Sequence, residues 1–106
     1  WNHVLWVWGK PDVETFMKYA ENVCLDGVMD RIRVPYLVTH GGGDRQIPLE
    51  FAHKSYDQAV NSPKRELRIF TDREGGVEHV AADNMEPSRS FICDWIAEQF
   101  AAGARI

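Results

Sequence analysis

Asp44 and His79 are the two residues whose types and positions could do chemistry. Asp44 closes the run Gly41-Gly42-Gly43-Asp44, and His79 closes Gly75-Gly76-Val77-Glu78-His79. Each follows a short strand-like stretch. A serine hydroxyl is a weak nucleophile until an imidazole accepts its proton, and that imidazole needs a carboxylate to orient it. Acid first and histidine second is the latter half of a Ser…Asp…His order. The first half is not in this sequence. No Gly-x-Ser-x-Gly occurs, and Ser55, Ser62, Ser88 and Ser90 all fall on expected helices or their flanks. The nucleophile is therefore expected from polypeptide preceding Trp1, and the chain alone is expected to be inactive.

Plainer readings stand beside these. Aspartate is common in glycine turns because it hydrogen-bonds its own backbone, and His79 could be an exposed loop histidine. His40 could line the site beside Asp44 or simply end a packed strand. Arg45 and Gln46 could support the acid loop or be surface turn residues, and Glu78 is the acidic neighbour closest to His79. His53 with Asp57, and His79 with Asp83, have the i, i+4 spacing of metal ligands. Each pair supplies only two ligands, so a solvated helix face is the preferred reading and no metal is expected.

The elements that must position Asp44 and His79 can be read from the apolar pattern. Tyr36-Leu37-Val38-Thr39 is short and β-favouring, bounded by Pro35 and the three glycines. Glu66 to Thr71 reads as a second strand, followed by a polar glycine loop over Asp72 to Val77. Between them, Leu49 to Val60 reads as a helix stopped by Asn61-Ser62-Pro63. Strand, helix, strand implies a parallel pair, whose carboxyl ends point the same way and bring the two loops together. A last helix is expected from Glu86 or Pro87 to Phe100. Its apolar face of Phe91, Ile92, Trp95, Ile96 and Phe100 is read as core.

Residues 1–33 read as a helical segment leading into this unit, and 34–106 as the unit itself. Trp1, Leu5 and Trp8 fall on one helical stripe, which would expose a large apolar patch unless something covers it. Asp12 is an N-cap candidate, with Thr15 the alternative, for a helix carrying Val13, Phe16, Met17 and Ala20. A further helix is expected over Asn22 to Ile32. Two parallel strands alone make a poor domain, so the piece is expected at the edge of a larger sheet.

The bulk composition is that of an ordinary globular chain, 44% hydrophobic and 26% charged. A formal charge of −4 without a basic stripe argues against nucleic acid and anionic membranes as partners. No apolar run approaches the ~20 residues of a membrane span. Cys24 and Cys93 form no CxxC pair and are expected to be buried free thiols, which suits a reducing, cytoplasmic setting.

Val34 to Gly41 followed by Asp44-Arg45-Gln46-Ile47-Pro48 resembles the acid-bearing strand and turn of α/β-hydrolases. Glu78-His79 after Gly75-Gly76 resembles their histidine loop. More narrowly, Asp44 to Ala52 and Phe70 to His79 resemble fungal pigment-pathway hydrolases that shorten polyketides. The resemblance extends from about Val34 to Phe100. It implies an α/β fold class, here the C-terminal fragment of an α/β-hydrolase fold, with its last two parallel strands and flanking helices. It implies Asp44 as the triad acid and His79 as the general base, with His40, Arg45 and Gln46 binding substrate or supporting the loop. The reaction implied is cleavage of an ester or a β-diketone-like carbon–carbon bond, without a cofactor. The partners implied are a small-molecule acyl or polyketide substrate and the missing N-terminal part of the same enzyme, with a homo-oligomer left open. The alternatives are a pseudo-enzyme, or a non-catalytic hydrolase-derived fragment that docks on a partner chain through its tryptophans.

Overall fold

A computed structural model describes residues 1–103 as a mixed α/β arrangement of four α-helices and one two-stranded parallel sheet. The last positions of the 34–106 segment, Ala104 to Ile106, lie outside the described residues. The elements run α1 (Asn2–Trp8), α2 (Val13–Ala20), β1 (Tyr36–Gly41), α3 (Leu49–Gln58), β2 (Arg65–Phe70) and α4 (Glu86–Ala101).

Local chemistry explains most of the boundaries. α1 ends at Gly9, whose φ of 60° lets its N–H and that of Lys10 turn back onto the Trp6 and Leu5 carbonyls. Asp12 caps α2 by accepting from the Thr15 N–H at 2.7 Å. The stripe Trp1, Leu5, Trp8 is used against α2, where Trp1 and Trp8 pack on Phe16 and Trp8 also meets Tyr19. Trp6 points away and is 80% exposed.

The helix expected over Asn22 to Ile32 does not form. Only a 3₁₀ turn, Met29–Arg31, is present. Gly27 sits at φ 78°, which breaks the helical run. Asp26 is drawn out to the Lys54 ammonium and the Gln58 amide on α3, at 2.9 and 2.7 Å. Side-chain capture by α3 therefore prevails over the modest helix propensity of this segment. The cysteines also depart from expectation. Both are free, but both are exposed rather than buried.

β1 and β2 pair in parallel from Tyr36 opposite Arg65 to Gly41 opposite Phe70. β1 thus runs two residues beyond Thr39, through His40 and Gly41. Side chains alternate between the two faces of the sheet, and each face meets a different helix. Tyr36 bonds Ser55 and Arg65 covers Tyr56, both on α3. Glu66 accepts from the Trp95 indole N–H at 2.9 Å, and Phe70 meets the edge of Phe91, both on α4. Helices on both faces explain why the apolar positions of β2 do not alternate cleanly.

Phe70, Trp95, Met29, Ala52, Ala59 and Ala81 form the buried apolar centre. The stripe expected on α4 is only half core. Trp95 is buried and Phe91 and Ile92 are half-buried, whereas Ile96 and Phe100 face outward. The chain is open in shape, with a radius of gyration of 16.7 Å against about 13 Å for a compact domain of this length. Among the described residues no helix is long and apolar enough to cross a membrane.

Candidate functional site

The carboxyl ends of β1 and β2 deliver two loops to the same place. Gly41 and Phe70 are paired at the ends of their strands, so the chain leaves both strands side by side. The acid loop turns at once, with the Asp44 N–H on the Gly41 carbonyl at 3.1 Å. The histidine loop folds back over it, and the Gly43 N–H reaches the Val77 carbonyl at 3.0 Å. Arg45 and Glu78 add an ion pair at 3.1 Å between the two loops.

Asp44 and His79, 35 positions apart, meet through Oδ2 and Nδ1 at 2.9 Å. The Asp44 side chain is only 5% exposed. Its Oδ1 accepts the backbone N–H groups of Gln46 and Ile47 at 2.8 and 3.0 Å. The Ile47 N–H, then His79 and the Gln46 N–H, hold the carboxyl down at about 2 against the opposing effect of burial. Asp44 is therefore ionised at neutral pH and can only accept. The neutral imidazole must then donate from Nδ1, which leaves the Nε2 lone pair free to take a proton. Among the described residues nothing hydrogen-bonds His79 Nε2, and the side chain is 34% exposed. His79 lines an open cavity of about 330 Å³, walled by Thr39, Ile47, Phe70, Val80, Ser88 and Ile92 among others.

His40 lies near the same carboxylate oxygen as His79. Its Nε2 donates to the Ile47 carbonyl at 3.0 Å and lies 3.8 Å from Asp44 Oδ2, too long for a hydrogen bond. It lines the same cavity and closes the acid loop. Gln46 contributes its backbone N–H to Asp44. Arg45 acts across the gap on Glu78, not on Asp44.

The four serines are engaged elsewhere. Ser55 bonds Tyr36, Ser62 donates to the Val34 and Lys64 carbonyls, and Ser90 donates to Glu86. Ser88 lines the cavity, but its hydroxyl donates to the Met85 carbonyl at the start of α4. Among the described residues, no group of three or more His, Cys, Asp and Glu is arranged to hold a metal. His53 and Asp57 are exposed on α3.

Asp83, read from its spacing to His79 as part of a solvated helix face, has a different role in the structure. Its Oδ2 accepts the N–H groups of Gly76 and Val77 at 2.8 and 3.2 Å, and its Oδ1 accepts that of Glu78 at 2.9 Å. These donors, the Glu78 N–H foremost, hold its carboxyl below the ordinary value. Val80 and Ala81, immediately after His79, sit at φ 50° and 57°. That region is unfavourable for any residue with a Cβ, and most so for a β-branched one. The Gly75-Gly76 pair just upstream was the available sequence signal, since both glycines take positive φ here.

Compared with known proteins, the chain matches no family model, no curated protein and no solved structure. The functional reading therefore stands on the geometry of Asp44, His79 and the cavity beside them.

Proposed function

We propose that this chain supplies the acid and the base of a serine-type α/β-hydrolase. The observation that carries the reading is the contact of an ionised, nearly buried Asp44 with His79 Nδ1, which leaves Nε2 basic at an open cavity. In the proposed mechanism His79 takes the proton of a serine hydroxyl as the serine attacks the substrate carbonyl. It then gives that proton to the leaving group and activates water to release the acyl fragment. Asp44 keeps the imidazole in the required tautomer and stabilises the cation that forms. The serine would come from polypeptide outside this chain, packed against an edge of the sheet. The open shape leaves room for a neighbour of that kind.

The substrate class proposed is an ester or a β-diketone-like ketone whose carbon–carbon bond is hydrolysed. An apolar wall of Ile47, Phe70, Val80 and Ile92 suits an acyl or polyketide chain. Replacing His79 with alanine in the intact protein that carries this chain tests the reading. Turnover of such substrates should vanish while the fold stays, and substantial retained turnover rejects the role.

One observation favours a second reading. Trp1 and Trp6 are both largely exposed, as a surface that docks on a partner chain would require. An intact mass equal to this chain alone, as a soluble monomer, supports docking. A larger mass or a co-purifying piece supports the hydrolase. Labelling of the parent protein by an activity-based serine probe separates an enzyme from a pseudo-enzyme.

A further inference from the structure

We propose that Asp83 is a positioning residue for His79, clamping the histidine loop into the turn that sets Nδ1 on Asp44. The inference rests on the reading of His79 as the base and adds the residue that holds it there.

The stretch 71–85 joins β2 to α4 with only one 3₁₀ turn, His79–Ala81. Strained backbone of the kind found at Val80 and Ala81 persists only where its surroundings over-determine it. Val80 gains nothing from burial that would offset the strain, since it is 72% exposed. The constraint comes from the residues on either side. Asp83, after the strained pair, binds the N–H groups of Gly76, Val77 and Glu78 before it. These three bonds span His79, Val80 and Ala81 and close them into one loop.

Two backbone bonds also cross the pair, from the Ala81 N–H to the Glu78 carbonyl at 3.0 Å and from the Ala82 N–H to the His79 carbonyl at 3.1 Å. They close only the 3₁₀ turn itself and do not tie it to Gly76 and Val77. The Gly43 N–H on the Val77 carbonyl and Arg45 on Glu78 tie the loop to the acid side. Both act upstream of His79, and neither crosses the strained pair. Without the Asp83 carboxylate only the two bonds of the 3₁₀ turn oppose the strain, and Val80 and Ala81 relax to negative φ. Such a change would swing the imidazole off Asp44.

The test reads the tautomer of His79 by nitrogen-15 NMR of the histidine-labelled full chain, at a pH where its imidazoles are neutral. In the wild type His79 should show a protonated Nδ1 and a bare Nε2, and Asp44→Asn should abolish that pattern. Absence of the pattern in the wild type would defeat the acid–base reading itself, separately from the role of Asp83. Asp83→Asn turns an amide N–H₂ toward backbone donors. It should lose the His79 pattern while His40, held on the Ile47 carbonyl, keeps its own, with an unchanged circular dichroism spectrum. Adding Val80→Gly, which relieves the more strained of the two residues, should restore the pattern at least in part. Asp83→Asn with a wild-type His79 pattern would overturn the proposal, as would a double variant that fails to regain it. If Asp83→Asn loses the native spectrum, Asp83→Ser, which removes the carboxylate, takes its place and is read the same way.

Discussion

The backbone at Gly41 passes so close to Val77 that a Cβ added there would stand 2.3 Å from the Val77 carbonyl oxygen. The Glu78 carbonyl oxygen is only 2.8 Å from the same point. The last residue of β1 is thus a glycine because the histidine loop lies directly upon it. Gly41→Ala must push that loop away. The expected cost is about 1–3 kcal/mol of stability, typical of forcing extra volume into a packed region. Urea unfolding measures it, and an alanine variant as stable as the wild type would contradict the close approach.

Removing either member of the Asp44–His79 pair should leave the fold and remove the chemistry. On the proposed reading, Asp44→Asn and His79→Ala in the intact protein should each lower kcat by about 10⁴-fold or more, the loss typical of Ser-His-Asp triads. Single-turnover kinetics on an activated ester gives the number. The two losses should not add in the double variant, because the residues act as one unit. Additive losses would mean that they act separately.

The pair also fixes how stability responds to acid. Asp44 titrates at about 2 in the folded chain, below the ordinary 3.8. A depressed carboxyl favours the folded state at pH values above its unfolded pKa. That contribution declines as pH falls below about 4 and is gone once the pH passes below the folded value. Wild-type stability should therefore fall more steeply between pH 4 and pH 2 than that of Asp44→Asn, measured by denaturant midpoints across the range. Asp83 and Glu74 are lowered in the same direction. They add to the acid sensitivity of both proteins and cancel in the comparison.

Val80 provides a stability test in the opposite direction. Glycine accepts a φ of 50° without the penalty that valine bears there. The exposed side chain loses little burial on removal. Val80→Gly should raise stability by roughly 0.5–1 kcal/mol after glycine's own entropy cost. Thermal unfolding would show the gain, and a destabilised variant would mean that the valine makes a contact worth more than the strain.

The strands and most of the helices were legible because local chemistry and tertiary packing agree on them. Asp12 as a cap, Pro35 before β1 and the glycines after it all act where they stand in sequence. The parallel pairing followed from the helix between two β-favouring runs, and it put Asp44 beside His79. The segment Asn22 to Ile32 was misread because its fate is decided by Lys54 and Gln58, about thirty positions away. The exposed thiols and the outward-facing Ile96 and Phe100 have a similar origin. Spacing shows which residues share a face but not where the covering surface stops. The role of Asp83 was hidden for another reason. Its partners are backbone N–H groups, which every residue but proline carries, so no side-chain pattern marks them.

The register of β1 on β2 sets a limit on length changes in this protein. Tyr36 faces Arg65 and Gly41 faces Phe70, and a slip of one position sends every side chain to the opposite face. An insertion between Tyr36 and Gly41 would carry the Asp44 carboxylate out of reach of the His79 imidazole even if both residues were kept. An insertion at Asn61 to Pro63, outside both strands, leaves the ladder in phase. Homologues should therefore tolerate indels before β2 and exclude them from β1.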